Sequence, residues 1–136
     1  WKRIDLWDFV DVYALSPDSK ILTTAISTED TMQNAVIFWN TESGEEISRI
    51  ILQDQPAQAI TFQPDHQRVL IADDSNLYTV NLTDFKISSK ESFPLSNDTD
   101  TNQAERIQQI SFSPDGIYLG VLTNQGKVSL IQFDTK

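Results

Sequence analysis

The chain has 136 residues, of which 39% are hydrophobic and 22% charged, a length and balance that suit one ordinary globular domain and exclude a disordered polar tract. Its formal net charge is −10, a field that repels phosphate backbones and anionic headgroups, so neither nucleic acid nor a membrane is an expected partner. No apolar run reaches the roughly 20 residues of a membrane helix, and with no cysteine there are no disulfides and no thiolate metal sites.

In chain order, Trp1 to Leu6 reads as an outer β-strand and is followed by a loop containing Trp7-Asp8. Tyr13 and Leu15 then alternate with the small Ala14, a period of two that predicts a strand with one bulky face and one able to approach a neighbour closely. Pro17-Asp18-Ser19 predicts a tight turn, because proline fixes φ and aspartate bonds back to the backbone. Ile21 to Ile26 lacks polar alternation, as expected of a strand covered on both faces. Ser27 to Asn34 is an irregular polar connection, Ala35 to Asn40 a third strand, and Glu46 to Leu52 an outer fourth.

The succession then recurs. Ile60-Thr61-Phe62 leads into Pro64-Asp65-His66, with strands at Val69 to Ala72 and Leu77 to Asn81 and an outer strand within Lys86 to Leu95. After the irregular Ser96 to Arg106, Ile110-Ser111-Phe112 leads into Pro114-Asp115-Gly116, with strands at Tyr118 to Leu122 and Val128 to Asp134. The three prolines stand 47 and 50 residues apart, close to the period of about 40 to 50 residues of a four-stranded propeller blade.

A Ser-Pro-Asp turn followed by an aromatic residue plus Asn or Asp resembles the tryptophan-aspartate (WD) repeat family, and the likeness covers nearly the whole chain. Trp39-Asn40, followed by the turn Thr41 to Glu45 with its Gly44, matches the family's signature pair and the turn after it. Val80-Asn81 lacks the tryptophan, and the third copy offers either Ile131-Gln132 or Phe133-Asp134. Trp7-Asp8 spells the dipeptide at the wrong spacing and belongs to a loop. The Gly-His pair that often precedes the first strand is missing from all three copies, so the family's buried His/Ser/Asp/Trp network is not expected.

The resemblance implies an all-β fold: three consecutive four-stranded antiparallel blades of a WD-repeat-like β-propeller. The repeat units are about 1–45, 46–84 and 85–136, each beginning with its outer strand. Propellers have about four to eight blades, so the remaining blades are expected from the same parent chain or from a second copy. With Trp1 at the start in place of Met, an excerpt of a longer chain is the expectation. The implied function is a protein-interaction scaffold or sensor without catalysis of its own. A carboxylate-based enzymatic propeller, hydrolase or lyase, and a purely structural spacer are the competing readings.

Six residues before each proline stand Asp11, Gln58 and Gln108. By the resemblance they ring a central opening, either as hydrated strand ends or as a recognition ring for a protein or peptide, with Arg106 at its edge and Asp74 alongside. Glu29, Asp30, Asp73, Asp74, Asp98, Asp100 and Glu105 would make that loop face acidic, which favours a partner with basic segments. Asp98 to Asn102 opens like a calcium loop, but Gln103 and Gln109 stand where glycine and glutamate are required; no metal and no cofactor is expected. His66, the single histidine, falls in a turn and carries no catalytic expectation. The sequons at Asn81 and Asn97 read as chance. The lack of cysteine fits a cytoplasmic location, the expectation here, and a cysteine-poor exported protein equally well.

Overall fold

A computed structural model describes residues 3, 5, 10–28, 33–95 and 104–133. The predicted outer strand at the N-terminus, Trp7-Asp8, Glu29-Asp30 and the calcium-like segment at Asp98 lie wholly or largely outside the described residues.

The three Pro-Asp segments form one and the same turn. In each, the N–H of the residue two after proline donates to the carbonyl of the residue before it: Ser19 to Ser16 at 2.9 Å, His66 to Gln63 at 3.1 Å and Gly116 to Ser113 at 2.9 Å. That donor residue is left-handed every time, with φ of 63° at Ser19, 63° at His66 and 74° at Gly116, a conformation that costs a side-chain-bearing residue about 1 kcal/mol or more and costs glycine little. Asp18, Asp65 and Asp115 each accept the backbone N–H two residues on, at 3.0, 2.9 and 3.0 Å. Ser16 and Ser113 add a bridge: each hydroxyl donates to the aspartate and accepts the N–H of Ile21 or Tyr118. Those serine hydroxyls, then the backbone N–H groups, hold the Asp18 and Asp115 carboxyls below the usual carboxylate range.

The turns organise three antiparallel sheets in which every strand pairs with its sequence neighbour. The first contains β1 (Val10–Leu15), β2 (Ile21–Thr28), β3 (Gln33–Asn40) and β4 (Glu46–Leu52); the second, β5 (Ala59–Phe62), β6 (Arg68–Ala72), β7 (Asn76–Asn81) and β8 (Lys86–Ser92); the third, β9 (Ile107–Phe112), β10 (Tyr118–Thr123) and β11 (Val128–Gln132). Among the described residues the chain is all-β, with sheets of four, four and three strands. No helix occurs among the described residues, and so none long and apolar enough to cross a membrane.

Register fixes the equivalence of the copies. Leu22 pairs with Trp39, Val69 with Val80 and Leu119 with Ile131. The next residue's successor reaches back to the first turn in each copy: Thr41 N–H to the Lys20 carbonyl at 3.1 Å, Leu82 to Gln67 at 2.9 Å and Phe133 to Ile117 at 2.6 Å. Of the two pairs open in the third copy, Ile131-Gln132 is therefore the one that occupies the place of Trp39-Asn40.

The sheets bury their faces on one another. Val36, Phe38, Ile50 and Leu52 of the first sheet pack with Ile60, Phe62, Val69, Ile71, Tyr78 and Val80 of the second. The opposite face of the second, with Ala59, Leu70, Ala72 and Leu77, packs on Ile107, Ile110, Leu119 and Val121 of the third. Val69 to Ala72 are consequently buried on both faces, which is why β6 reads as an unbroken apolar run. Sheets meet through their first strands, β5 lying against β1 on one side and β9 on the other. The small or slender Val12 and Ala14 of β1 join the core that holds the bulky Ile60 and Phe62 of β5.

Candidate functional site

The connections into each first strand and those between the second and third strands share one end of the sheets. Asp11 lies at a register shift between β1 and β2, and Gln108 at one between β9 and β10; a bulge leaves one residue out of the ladder and re-aims its side chain. Gln58 immediately precedes β5, its N–H donating to the Ala72 carbonyl at 2.7 Å. All three side chains are exposed, and the Asp11 carboxylate accepts the Ser27 hydroxyl at 2.9 Å. Because β1, β5 and β9 are neighbours, these residues stand at matching positions on adjacent strands.

Arg106 and Asp74 sit against this row. The Arg106 N–H donates to Asn124 Oδ1 at 2.9 Å and its carbonyl accepts the Asn124 N–H at 3.1 Å. Its backbone is thus pinned to the third sheet while its side chain is exposed. The Asp74 carbonyl accepts the Ile107 N–H at 2.8 Å, so this residue of the second sheet adjoins the start of β9. Asp74 Oδ1 is buried and has no hydrogen-bond partner, a condition that costs about 1–3 kcal/mol.

The predicted acidic face is smaller than its sequence. Asp73, expected on it, is fully buried. Its Oδ1 accepts the N–H groups of Ser75 and Asn76 at 2.9 and 2.7 Å, its Oδ2 accepts the Tyr78 hydroxyl at 2.9 Å, and the Asn76 amide donates to both. That carboxylate builds the turn between β6 and β7. Glu105 is also buried, with Lys127 Nζ 3.3 Å from its Oε2. Asp74 is the only one of the three described carboxylates of that set to keep substantial exposure; Glu29, Asp30, Asp98 and Asp100 lie outside the described residues.

Sequence reasoning put Asp73 on the surface and did not single out Asn124 or Ser27. For Asp73 a local signal exists: aspartate followed two and three residues on by Ser75 and Asn76 suits a side chain closing a turn on its own backbone. Burial, and then the bond to Asp73, push the Tyr78 phenol up to about 12. Lys90, whose pKa is raised chiefly by its hydrogen bond to Asp54, lies 5.6 Å from the centre of the Tyr78 ring and ties the second sheet to the connection leaving the first.

His66 is exposed, its Nδ1 3.8 Å from Asp18 Oδ2. A cleft of about 410 Å³ between β8 and β11, lined in part by Arg68, Leu77, Thr79, Glu91, Ile131 and Phe133, shares no residue with the loop row. Thr79, which lines it, holds the register position of Phe38, whose ring packs 5.1 Å from Phe85 in the neighbouring interface. Among the described residues no three His, Cys, Asp or Glu side chains cluster as a metal site would require. Comparison with known proteins yields no matching family model and no matching curated protein.

Proposed function

We propose that the three sheets are consecutive blades of a WD-repeat-like β-propeller and that the chain works as a protein-interaction scaffold whose loop face takes a protein or peptide segment. The observation that carries this reading is the row at one end of the first strands. Asp11, Gln58 and Gln108 are exposed at equivalent positions of adjacent strands, with Arg106 and Asp74 beside them on backbone held from two sheets. Radial packing supports the propeller part, since sheets that meet through their first strands are arranged as blades are. The Trp39 Nε1–H donates to Thr24 Oγ1 at 2.9 Å, which supplies the tryptophan-to-hydroxyl link of the family's network in the one copy that retains the tryptophan.

The row mixes amides, carboxylates and one guanidinium, groups that read a peptide backbone and its polar side chains. Asp74 favours a basic residue in the partner, because its unpartnered buried oxygen gains a donor on binding. Alanine substitution at Asp11, Gln58, Gln108, Arg106 and Asp74, one at a time, followed by titration with partner segments recovered by pull-down, tests the reading. Each site should weaken binding, Asp74→Ala by about tenfold or more, with unfolding midpoints unchanged or, for Asp74→Ala, raised. Full binding by all five variants would refute it.

A further inference from the structure

The two sheet-to-sheet interfaces use matching positions but different chemistry. By register, Arg68, Thr79 and Glu91 of the second sheet hold the places that Ile21, Phe38 and Ile50 hold in the first. Ile21, Phe38 and Ile50 belong to the apolar core between the first and second sheets. Their three counterparts line the cleft of about 410 Å³ between β8 and β11, a volume within the range of about 300–1,000 Å³ that small-ligand sites occupy. A guanidinium, a hydroxyl and a carboxylate thus stand where the sister interface packs hydrocarbon.

Neither charge is matched within the chain. The Arg68 side chain is only 26% exposed, yet among the described residues its guanidinium has no hydrogen-bond acceptor, only Asp65 Oδ2 at 3.9 Å. Glu91 is exposed, with no ion-pair partner among the described residues. Between the two lie Thr79 and Ser89, paired across β7 and β8, and the apolar walls come from both sheets, Leu70 and Leu77 on one side, Ile131 and Phe133 on the other. Arg68 is level with Asn81 and Glu91 with Leu77, which puts them at opposite corners of the face, about 16 Å apart along the backbone by strand spacing and rise. A planar guanidinium recognises a carboxylate through two parallel hydrogen bonds, whereas a dianionic phosphate would be repelled by Asp65 and Glu91. At about 3.3–3.6 Å per residue, a single amino acid is too short to meet both corners and an extended segment of about three residues is not.

We infer that the cleft binds the C-terminus of an extended peptide: its terminal carboxylate on Arg68, an apolar last side chain against the hydrocarbon walls, and a lysine or arginine two or three residues earlier on Glu91. The chain's net charge of −10 favours such a basic segment. Because the cleft shares no residue with the loop row, the inference holds whatever the loop face binds.

The test is fluorescence anisotropy of a short, N-terminally labelled peptide ending in lysine, serine and leucine, titrated with the full chain as the free acid and as the C-terminal amide. The acid should bind with a dissociation constant of about 1 mM or below, and the amide about tenfold or more weaker. Arg68→Ile, which installs the residue of the sister interface, should bring the acid down to the level of the amide. Glu91→Gln should weaken the lysine peptide by about twofold to fivefold and leave a peptide with norleucine in that place unchanged. Thr79→Phe, which restores the ring of Phe38, should abolish binding of both forms, with circular-dichroism melting showing that the variants remain folded. If Thr79→Phe does not fold, the acid-to-amide ratio and its loss in Arg68→Ile decide the question. No binding of the acid by about 1 mM, equal binding of acid and amide, or binding that survives Arg68→Ile undiminished would each overturn the inference, the last by placing the peptide on another face.

Discussion

Replacing Asp73 with alanine removes the acceptor that organises the turn between β6 and β7. Four groups lose it: two backbone N–H donors, the Asn76 amide and the Tyr78 hydroxyl. Hydrogen bonds to a charged group contribute about 1.5–3 kcal/mol each, but Ser75 and Asn76 are only partly buried and water replaces much of what they lose. The Tyr78 hydroxyl has no such recourse, because its residue is 4% exposed, and an orphaned hydroxyl adds about 1–3 kcal/mol. Relief of the buried carboxylate's desolvation offsets part of this, leaving an expected loss of about 3–5 kcal/mol. Urea unfolding followed by far-ultraviolet circular dichroism should show it as a lower midpoint at constant slope. Asp73→Asn keeps a carbonyl oxygen for the two N–H groups and should cost about 1–2 kcal/mol, so it carries the measurement if the alanine variant does not fold. A double-mutant cycle with Tyr78→Phe should give a coupling of about 1–3 kcal/mol. A loss below about 1 kcal/mol for Asp73→Ala, or strict additivity with Tyr78→Phe, would show that the buried carboxylate does not hold this turn.

Tyr78 gives a test at high pH. Its folded-state pKa of about 12 lies above the ordinary 10.0, so the unfolded chain releases the proton first. The contribution is fully present below pH 10 and is lost as pH rises toward 12, by about 2–3 kcal/mol, and the difference between wild type and Tyr78→Phe should show that slope. Gln63→Ser should install the bridge present at Ser16 and Ser113 and remove a buried Gln63 oxygen that has no partner. After the lost packing is subtracted, the unfolding midpoint should rise by the equivalent of about 1 kcal/mol, and a fall would show that packing outweighs the turn. Gly116→Ala should cost about 1–2 kcal/mol, since φ is +74° and the new Cβ would lie 3.4 Å from Pro64 Cδ. His66→Gly at the matching position, with φ of 63°, should stabilise by up to about 1 kcal/mol. Thermal unfolding of both variants checks the opposite signs.

The three turns were legible because their chemistry is local. Pro17, Pro64 and Pro114 fix one backbone angle, and each following aspartate bonds an N–H two residues away, so adjacent letters specify the geometry. The second and third strands were legible for a related reason, as an unbroken apolar run between two turns has little choice but a buried strand. Asp11, Gln58 and Gln108 take matching places on the first strands because the turns convert their common offset from the prolines into position along a strand. Asp73 and Glu105 were misjudged as surface acids because a carboxylate is solvated unless something covers it. The long-reach partners that hold them are not adjacent in the sequence: the Tyr78 hydroxyl for one, Lys127 for the other.

By itself, then, the sequence determined the all-β class, the three copies and the places where the chain reverses, all properties set by residues within a few positions of one another. Only the tertiary structure decided that Ile131-Gln132 and not Phe133-Asp134 completes the third copy, because pairing across strands, not spelling, sets that equivalence. It also decided which sheet faces are covered. Val69 and Leu70 vanish between two neighbours while Val128 and Leu130, no less apolar, stand in water, since burial belongs to the partner across the interface and not to the residue.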